Sequence, residues 1–154
     1  MTDTVPMTRI FIDGDACPVK DEVLRVATRH ELPVIIVANR WHRIDHYLVE
    51  QVVVAEGADA ADDVIAERCQ SADVVVTNDI PLAARCLAKG ALAIDARGKA
   101  FEEANIGMQV AMRDLMKSLR EQGEITGGPA GFGKQDRSRF LDGLERLVQA
   151  ARRR

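Results

Sequence analysis

The chain has 154 residues, 47% of them apolar and 29% charged, with a net charge of −3. Such a length and composition suit one globular domain with a buried core, and they argue against disorder and membrane spanning, since the longest apolar runs have only the length of a strand. The polar start MTDTVPMT lacks the basic region and apolar core of a signal peptide, and the three cysteines have no paired spacing. We therefore expect reduced thiols in a cytoplasmic protein.

Five short apolar runs alternate with helical patterns along the chain. They are rich in Val and Ile and show little alternation of polar and apolar residues, which is typical of strands buried on both faces of a parallel sheet. The predicted fold class is therefore α/β, with a parallel sheet of about five strands and helices on both faces. The predicted strands are RIFID (9–13), PVIIVA (33–38), LVEQVVVA (48–55), DVVVT (73–77) and ALAID (91–95).

Apolar stripes at helical spacing predict the helices. Two of them predict crossover helices between strands, and two longer ones follow the last strand. The stripe that contains methionines is typical of core packing. Between the last two helices, GEITGGPAGFGKQD (123–136) predicts a loop or an ordered wrap. The stripes are Val19, Val23, Val26 and Ala27; Leu82, Ala83, Cys86 and Leu87; Met108, Met112, Leu115 and Leu119; and Phe140, Leu144, Leu147, Val148 and Ala151.

Charge is distributed unevenly along the chain. Residues 134–154 hold seven Lys and Arg against three acids, a net +4, which leaves −7 for residues 1–133. A basic tail on an acidic body permits an anionic partner without establishing one. No repeat and no second core is visible in the sequence. We therefore predict one domain over 1–154, with residues 118–154, a glycine-rich loop and a basic C-terminal helix, packed on it.

Carboxylates follow the first and fourth predicted strands. Right-handed crossovers in a doubly wound order bring these two strands side by side at the switch point of the sheet, where ligands bind beyond the carboxyl ends of the strands. Asp13 ends the first strand and Asp79 follows the fourth, so their carboxylates are expected to converge, with Asp15 just beyond. Acids at strand ends lack the structural role of acids in the first turn of a helix, and their burial is costly without a cation or a reaction that uses them.

The helix predicted over residues 57–69 brings further acids to the same edge of the sheet. At 100° per residue, Asp62 flanks the buried face, whereas Asp63 and Glu67 point to solvent. Asp59 is predicted as the N-cap of this helix, with Asp62 at its third position. That arrangement also has a purely structural interpretation, because the helix dipole favours first-turn acids by about 0.3 to 1 kcal/mol.

Several carboxylates at close range repel one another unless they are protonated or bind a cation. Divalent cations with oxygen ligands, Mg²⁺ or Mn²⁺, suit such a cluster. With one or two carboxylates and waters around it, such an ion can generate hydroxide and stabilise the charge that develops on a phosphodiester. The cluster therefore predicts phosphoryl hydrolysis.

Four ordered blocks, IFIDGDACPVKDE, GADAADDVI, VVVTNDIPLA and GGPAGFGKQDRSRF, resemble the YaiI/YqxD family of uncharacterised bacterial proteins over nearly the whole chain. That family is grouped with PIN-like domains, many of which are metal-dependent nucleases. The resemblance implies a PIN-like three-layer fold with two C-terminal helices, and a phosphodiester hydrolase that uses Mg or Mn and acts on RNA. It implies catalytic roles for Asp13, Asp62 and Asp79. The candidate metal ligands are Asp13, Asp15, Asp59, Asp62, Asp79 and Asp95, and the alternative role of Asp95 is to cap the turn ARG.

Two basic segments are candidates for holding the substrate. NRWHRIDHY (39–47) contains the only Trp and Tyr of the chain and two arginines, a mixture that suits phosphates and unstacked bases. Its aromatic residues equally suit anchoring of the loop to the core. The glycine-rich wrap is expected to bring C-terminal cations towards the acidic site. The candidate substrate-binding residues are Arg40, Trp41, Arg43, Lys134, Arg137 and Arg139.

Three alternatives stay open. The first is a noncatalytic RNA-binding module on the same fold. The second starts from IFIDGDAC, which also resembles the opening of haloacid dehalogenase-like phosphatases, with Asp13 as nucleophile and Asp15 as general acid. In that family the second acidic pair is the last motif along the chain, whereas Asp62 and Asp63 precede the fourth strand here. GPAGFGK (128–134) has the GxxxxGK spacing of a phosphate-binding loop, without the Ser or Thr that should follow and without a preceding strand.

Overall fold

A computed structural model describes residues 7–57, 59–123 and 131–153. Strands and helices alternate through the first two thirds of the chain, except that the third strand follows the second without a helix between them, and two long helices come last. A 3₁₀ turn, Gly14–Ala16, follows the first strand. The elements are β1 (Ile10–Asp13), α1 (Lys20–His30), β2 (Val34–Ala38), β3 (Val49–Val53), α2 (Ala60–Arg68), β4 (Val74–Val76), α3 (Ile80–Ala88), β5 (Leu92–Ile94), α4 (Glu103–Glu121) and α5 (Lys134–Arg152).

The five strands form one parallel sheet in the order β3-β2-β1-β4-β5. β1 is its central strand, with Ile10 opposite both Val34 of β2 and Val74 of β4. The predicted α/β class, the five-stranded parallel sheet and the adjacency of the first and fourth strands are thus confirmed. The carboxyl ends of β1 and β4 lie side by side, at the point where the strand order reverses.

A hydrophobic core covers each face of the sheet. Side chains alternate along β1, so that Ile10 and Ile12 face one core and Phe11 the other, and all three are fully buried. The first core is completed by α1 and α5, and the second by α2 and α3. Full burial of such a side chain stabilises the fold by about 1.5 to 3 kcal/mol. The three layers hold the strand ends rigidly, which is what a site at the edge of the sheet requires.

Two glycines allow α5 to approach the turn after β5. Gly98 has a φ of 90°, and a Cβ added to it would lie within 3.0 Å of the carbonyl oxygen of Arg139. A Cβ on Gly143 would lie equally close to the carbonyl oxygen of Gly98. Only glycine, which lacks a Cβ, allows the two backbones to approach this closely. The close contact with α5 therefore holds the turn in place at the edge of the sheet.

The apolar stripe on α4 is exposed, so the prediction that it packs in the core is wrong. Met108, Met112 and Leu115 are 75%, 53% and 52% exposed, and α4 has no buried residue. The helix instead contacts α3 and packs through Ile106 against the core that contains α2 and α3. The hydrophobic periodicity of a helix identifies an apolar face without identifying what covers that face.

Part of the glycine-rich segment, residues 124–130, lies outside the described residues, and so do the first three of the seven residues that match a phosphate-binding loop at 128–134. Of the wrap, residues 131–133 are described, and α5 begins directly after them. None of the helices within the described ranges is long and apolar enough to cross a membrane.

Candidate functional site

Two adjoining cavities open at the carboxyl ends of β1 and β4. The smaller, about 230 Å³, is lined by Asp13, Thr77 and Asp79, and we call it the acidic pocket. The larger, about 830 Å³, is lined by several cations, and we call it the basic pocket. The two pockets share the lining residues Cys17, Pro18, Asn78 and Ala96. They are therefore two parts of one site, at the edge of the sheet where ligands bind in folds of this class.

Hydrogen bonds tie together the acids at the two strand ends. The backbone N–H of Asp79 donates to Thr77 Oγ1 at 3.0 Å, and that hydroxyl donates to Asp13 Oδ2 at 3.0 Å. Thr77 is itself buried. The threonine therefore orients the carboxylate of Asp13, and the two acids keep a fixed relation to each other.

Asp79 also has a structural role that the sequence analysis missed. It is the N-cap of α3, and its Oδ1 accepts from the backbone N–H of Leu82 at 3.0 Å. The expectation that acids after the strands lack the role of a helix-start acid is therefore wrong for Asp79. It is correct for Asp13, which ends β1 and whose carboxylate makes no capping bond.

Asp62 approaches the same pair from α2. Burial, followed by the charges of Asp79 and Asp13, raises the pKa of Asp62 to about 7. Burial also raises the pKa of Asp13, against the opposing effect of the Thr77 hydrogen bond and together with the charges of Asp79 and Asp15. The three acids thus lie close enough to repel one another, and either a proton or a cation relieves that repulsion.

The donor set defines the kind of cation that would fit. No group of three or more His, Cys, Asp or Glu side chains, among the residues described, is arranged to hold a metal ion. Mg²⁺ usually keeps several waters and is held by only one or two carboxylates. The coupled acids Asp62 and Asp79, with Asp13 beside them, fit a water-rich ion of this kind and do not fit a closed structural site such as that of zinc.

The other candidate ligands have local roles. Asp15 accepts two bonds from the backbone N–H of Asn39, at 2.9 and 3.2 Å. Asp95 Oδ1 accepts from two backbone N–H groups of the following turn, which is the capping role considered for it. Asp59 occupies the predicted N-cap position of α2, but its exposed side chain makes no capping bond. Of the candidate ligands, Asp13 and Asp79 line the acidic pocket, and their charges raise the pKa of Asp62 more than the charge of Asp59 does.

The different surroundings of Asp13 and Asp15 bear on the phosphatase alternative. A haloacid dehalogenase-like mechanism needs both carboxylates at one phosphate, one as nucleophile and one as general acid. Here Asp13 lines the acidic pocket and Asp15 the basic pocket. The bonds from Asn39 hold the Asp15 side chain towards β2. The geometry therefore supports that alternative less well than a cluster built on Asp62 and Asp79.

The basic pocket combines cations with acids that are already engaged. Its two carboxylates, those of Asp15 and Asp95, each accept backbone hydrogen bonds. A surplus of cations in a cleft attracts anions such as phosphate. The four cationic side chains that line it are Lys20, Arg40, Arg97 and Lys99.

Two polar atoms at the wall of the basic pocket have no partner. His42 Nε2 and Gln109 Oε1 are inaccessible to solvent and make no hydrogen bond within the described parts of the chain. Both residues line the basic pocket. Leaving such buried atoms unpaired costs free energy.

The sequence analysis missed three of the four cations. Lys20 begins α1, where its Nζ donates to the carbonyl oxygens of Gly14 and Cys17. Arg97 and Lys99 lie in the turn after β5. The signal was available in the topology, because loops that follow parallel strands gather at one edge of the sheet. The family resemblance concerns the acids after β1 and β4 and gives no role to the cations at the same edge.

The segment after β2 reaches the site in part. Arg40 lines the basic pocket, while Trp41 and Arg43 are exposed. Trp41 and Tyr47 are 68% and 73% exposed, so the alternative that they anchor the loop to the core is wrong. Tyr47 stacks instead on His46, with ring centroids 5.0 Å apart. A role of the exposed aromatic residues in binding bases stays a prediction.

The three predicted C-terminal cations diverge. Arg137 donates to the carbonyl oxygen of Pro18 at 2.8 Å and pairs with Glu22 at 3.2 Å, so it reaches the rim that both pockets share. Arg139 lines a separate groove, and Lys134 is exposed at the start of α5. Side chains at different positions around a helix point in different directions, and α5 therefore brings Arg137 to the site without the other two.

Comparisons with known proteins bear on the identity of this chain. A family model described as "Uncharacterized BCR, YaiI/YqxD family" matches residues 11–150. A UPF0178 protein of Rhodopseudomonas palustris is 54% identical over 155 residues, which cover 100% of this chain and 97% of that protein. A UPF0178 protein of Parvibaculum lavamentivorans is 58% identical over 149 residues, which cover 96% and 98%. No solved structure matches the chain.

Proposed function

The chain belongs to the YaiI/YqxD family, and we propose that it is a divalent-metal-dependent phosphodiester hydrolase with a PIN-like active site, a nuclease that acts on RNA. The observation that carries this proposal is the position of Asp13 and Asp79 at the ends of adjacent strands, where Thr77 joins them by hydrogen bonds. Asp62 lies near them on α2, close enough for their charges to raise its pKa. The cation-lined pocket beside them supports it, because a nucleic acid presents phosphates on both sides of the bond that is cut.

Asp13, Asp62 and Asp79 would hold Mg²⁺ or Mn²⁺ in this proposal. When bound, the ion supplies Lewis-acid stabilisation of the phosphate and activation of the attacking water. The protein's own contribution begins with Thr77, whose hydroxyl donates to Asp13 and so fixes the direction of that carboxylate. The cap bond to Leu82 does the same for Asp79. The acids are therefore oriented before substrate binds, which reduces the reorganisation that catalysis would otherwise require.

The basic pocket would bind the phosphates of the strand beside the scissile bond. Its cations attract phosphates and do not distinguish one base sequence from another, as expected for Lys20, Arg40 and Lys99. The exposed Trp41 and Tyr47 suit stacking on bases that are not paired, which favours a single strand over a duplex. The proposed substrate is therefore single-stranded RNA, held through its backbone.

A cleavage assay tests the proposal. Single-stranded RNA labelled at its 5′ end is incubated with the protein in Mn²⁺, in Mg²⁺ and in EDTA. We expect cleavage that requires the metal and falls about 100-fold or more in Asp13→Asn and in Asp79→Asn, since the ion contributes several kcal/mol to the transition state. Asp63→Asn is the matched control, because Asp63 lies next to Asp62 but is exposed and paired with Arg85.

A binding measurement separates catalysis from recognition. Fluorescence anisotropy with the same RNA in EDTA should show affinity that Asp13→Asn retains and Arg40→Ala weakens, together with a smaller dependence on salt in the arginine variant. RNA that is bound but cut under no metal condition would favour the noncatalytic RNA-binding module. Metal-dependent release of phosphate from a monoester, lost in Asp15→Asn, would favour the phosphatase instead.

A further inference from the structure

One exposed side of α4 carries a continuous apolar row. Met108, Met112, Leu115 and Leu119 form it, and we call these four residues the α4 seam. The first three are between 52% and 75% exposed, and Leu119 is partly exposed. A contiguous apolar surface on a globular protein marks an interaction site more often than chance. None of the four residues lines the acidic or the basic pocket, so the seam is independent of the proposed function.

The seam has the spacing of a coiled coil. From Asn105 to Gln122 the residues facing outward are separated alternately by three and four positions, which is the a and d pattern of a heptad repeat. No charged residue of α4 lies in this row or in the two rows that flank it. Glu103, Arg113, Asp114, Lys117, Arg120 and Glu121, the charged residues of α4, all lie in the other rows. The row itself carries no charge, which favours another apolar helix as its occupant.

The row is complementary to itself in the antiparallel direction. A two-fold axis between Arg113 and Asp114 pairs Met112 with the partner's Leu115, and Met108 with the partner's Leu119. The same axis pairs Asn105 with the partner's Gln122. Apolar side chains then meet apolar ones in the four central layers, and polar side chains meet polar ones in the two outer layers. An antiparallel arrangement is also the one that the dipoles of two adjacent helices favour.

The flanks of the row agree with this pairing. On one side lie Ala104, Ala111 and Ser118, seven residues apart and all exposed. In an antiparallel pair related by a two-fold axis this side faces the same side of the partner. Small side chains there let the two helix backbones approach closely, so that the seam side chains interlock.

We infer that α4 is the dimer interface of this protein, formed by two copies that pair their α4 seams antiparallel about a two-fold axis. The contact is isologous, since each copy contributes the same surface. One helix pair lies at the lower end of the size range of specific interfaces, so the expected dissociation constant is roughly micromolar.

Sedimentation of the full chain over about 1 to 300 µM tests the inference. We expect a concentration-dependent monomer and dimer for the wild type. Leu115→Lys and Met112→Glu should each weaken association at least about tenfold, because each buries two unpaired charges in the dimer. At a protein concentration low enough for the wild type to be monomeric, their melting temperatures should match that of the wild type, because both positions are exposed in the monomer. The control is Asp114→Lys, a charge change on the adjacent but outward residue, which should leave association unchanged.

Mixing the two variants tests the register. In a heterodimer of Leu115→Lys with Met112→Glu, one central layer contains an opposite-charge pair and the other retains Met and Leu. Association of the mixture should therefore exceed that of either variant alone. Failure of the mixture to associate would overturn the antiparallel register. A wild type that stays monomeric at all the protein concentrations tested would overturn the proposed interface. If Leu115→Lys then lowers the melting temperature of that monomer, another part of the same chain covers the seam.

Discussion

Asp62→Asn is expected to stabilise the metal-free protein. The carboxyl of Asp62 has a pKa of about 7 rather than 3.8, first because of burial and then because of the charges of Asp79 and Asp13. A raised pKa of an acid means that the folded state binds the proton more tightly than the unfolded state does. The charge of Asp62 therefore costs nothing below about pH 4, costs more as the pH rises, and has its full effect above about pH 7.

The size of this effect follows from linkage. At 1.36 kcal/mol per unit, the difference between 3.8 and about 7 corresponds to about 4 kcal/mol. Because Asp62 is only partly buried, solvent screening reduces this to roughly 1 to 2 kcal/mol. For a chain of 154 residues that amount raises the melting temperature by roughly 2 to 8 °C.

Thermal unfolding in EDTA at about pH 8 measures this gain, and repeating it near pH 4 should remove most of the difference. Adding Mg²⁺ or Mn²⁺ should raise the melting temperature of the wild type more than that of the variant, since a ligand stabilises the state that binds it. Asp63→Asn, on the same helix but exposed and paired with Arg85, should give no gain. A melting temperature that falls in Asp62→Asn at about pH 8, or equal shifts in the two variants, would show that the acids are not coupled as argued.

Two further predictions concern the packing that supports the site. Gly98→Ala should lower the melting temperature by about 6 to 12 °C. Its φ of 90° and the α5 carbonyl oxygen within 3.0 Å of the new Cβ together cost roughly 3 kcal/mol. Gly107→Ala is the control: this position on α4 has open space around it, so the melting temperature should rise in the same thermal scan. Glu145→Gln should cost about 1 kcal/mol near pH 7, because Glu145 bonds Arg29 at 2.9 Å and His30 at 2.8 Å. The contacts around Glu145 lower its pKa despite burial. Urea titrations should therefore show the stability difference between Glu145→Gln and the wild type disappear as the pH falls below about 4. An unchanged difference at about pH 3 would contradict a stabilising role for the charge of Glu145.

The sheet was predictable from the sequence because its strands are buried on both faces. Runs such as PVIIVA admit few alternatives to a parallel strand, and the rule of right-handed crossovers then leaves few strand orders. The convergence of Asp13 and Asp79 followed from that order alone. The third acid, Asp62, required only the angular position of a residue on its helix. These features depend on local pattern and topology, which a single sequence contains.

The remaining features depend on what a pattern does not contain. The stripe of Met108 and Met112 has the periodicity of a core helix, but nothing in its spacing indicates whether a neighbour within the same chain covers it. Cations such as Lys20 and Lys99 resemble ordinary surface residues until the fold brings their loops to one edge. Side-chain direction also mattered, since it separates Arg137 at the rim from Arg139 in another groove.

The two roles of Asp79 determine which substitution gives an interpretable result. Its carboxylate caps α3 and also contributes charge to the acidic pocket. Asn caps a helix about as well as Asp, whereas Ala loses the cap at a cost of about 1 kcal/mol. Loss of cleavage in Asp79→Ala would therefore mix a weakened helix start with a missing charge. In Asp79→Asn the cap is kept, so that a change in cleavage or in metal-dependent stability reports on the charge alone.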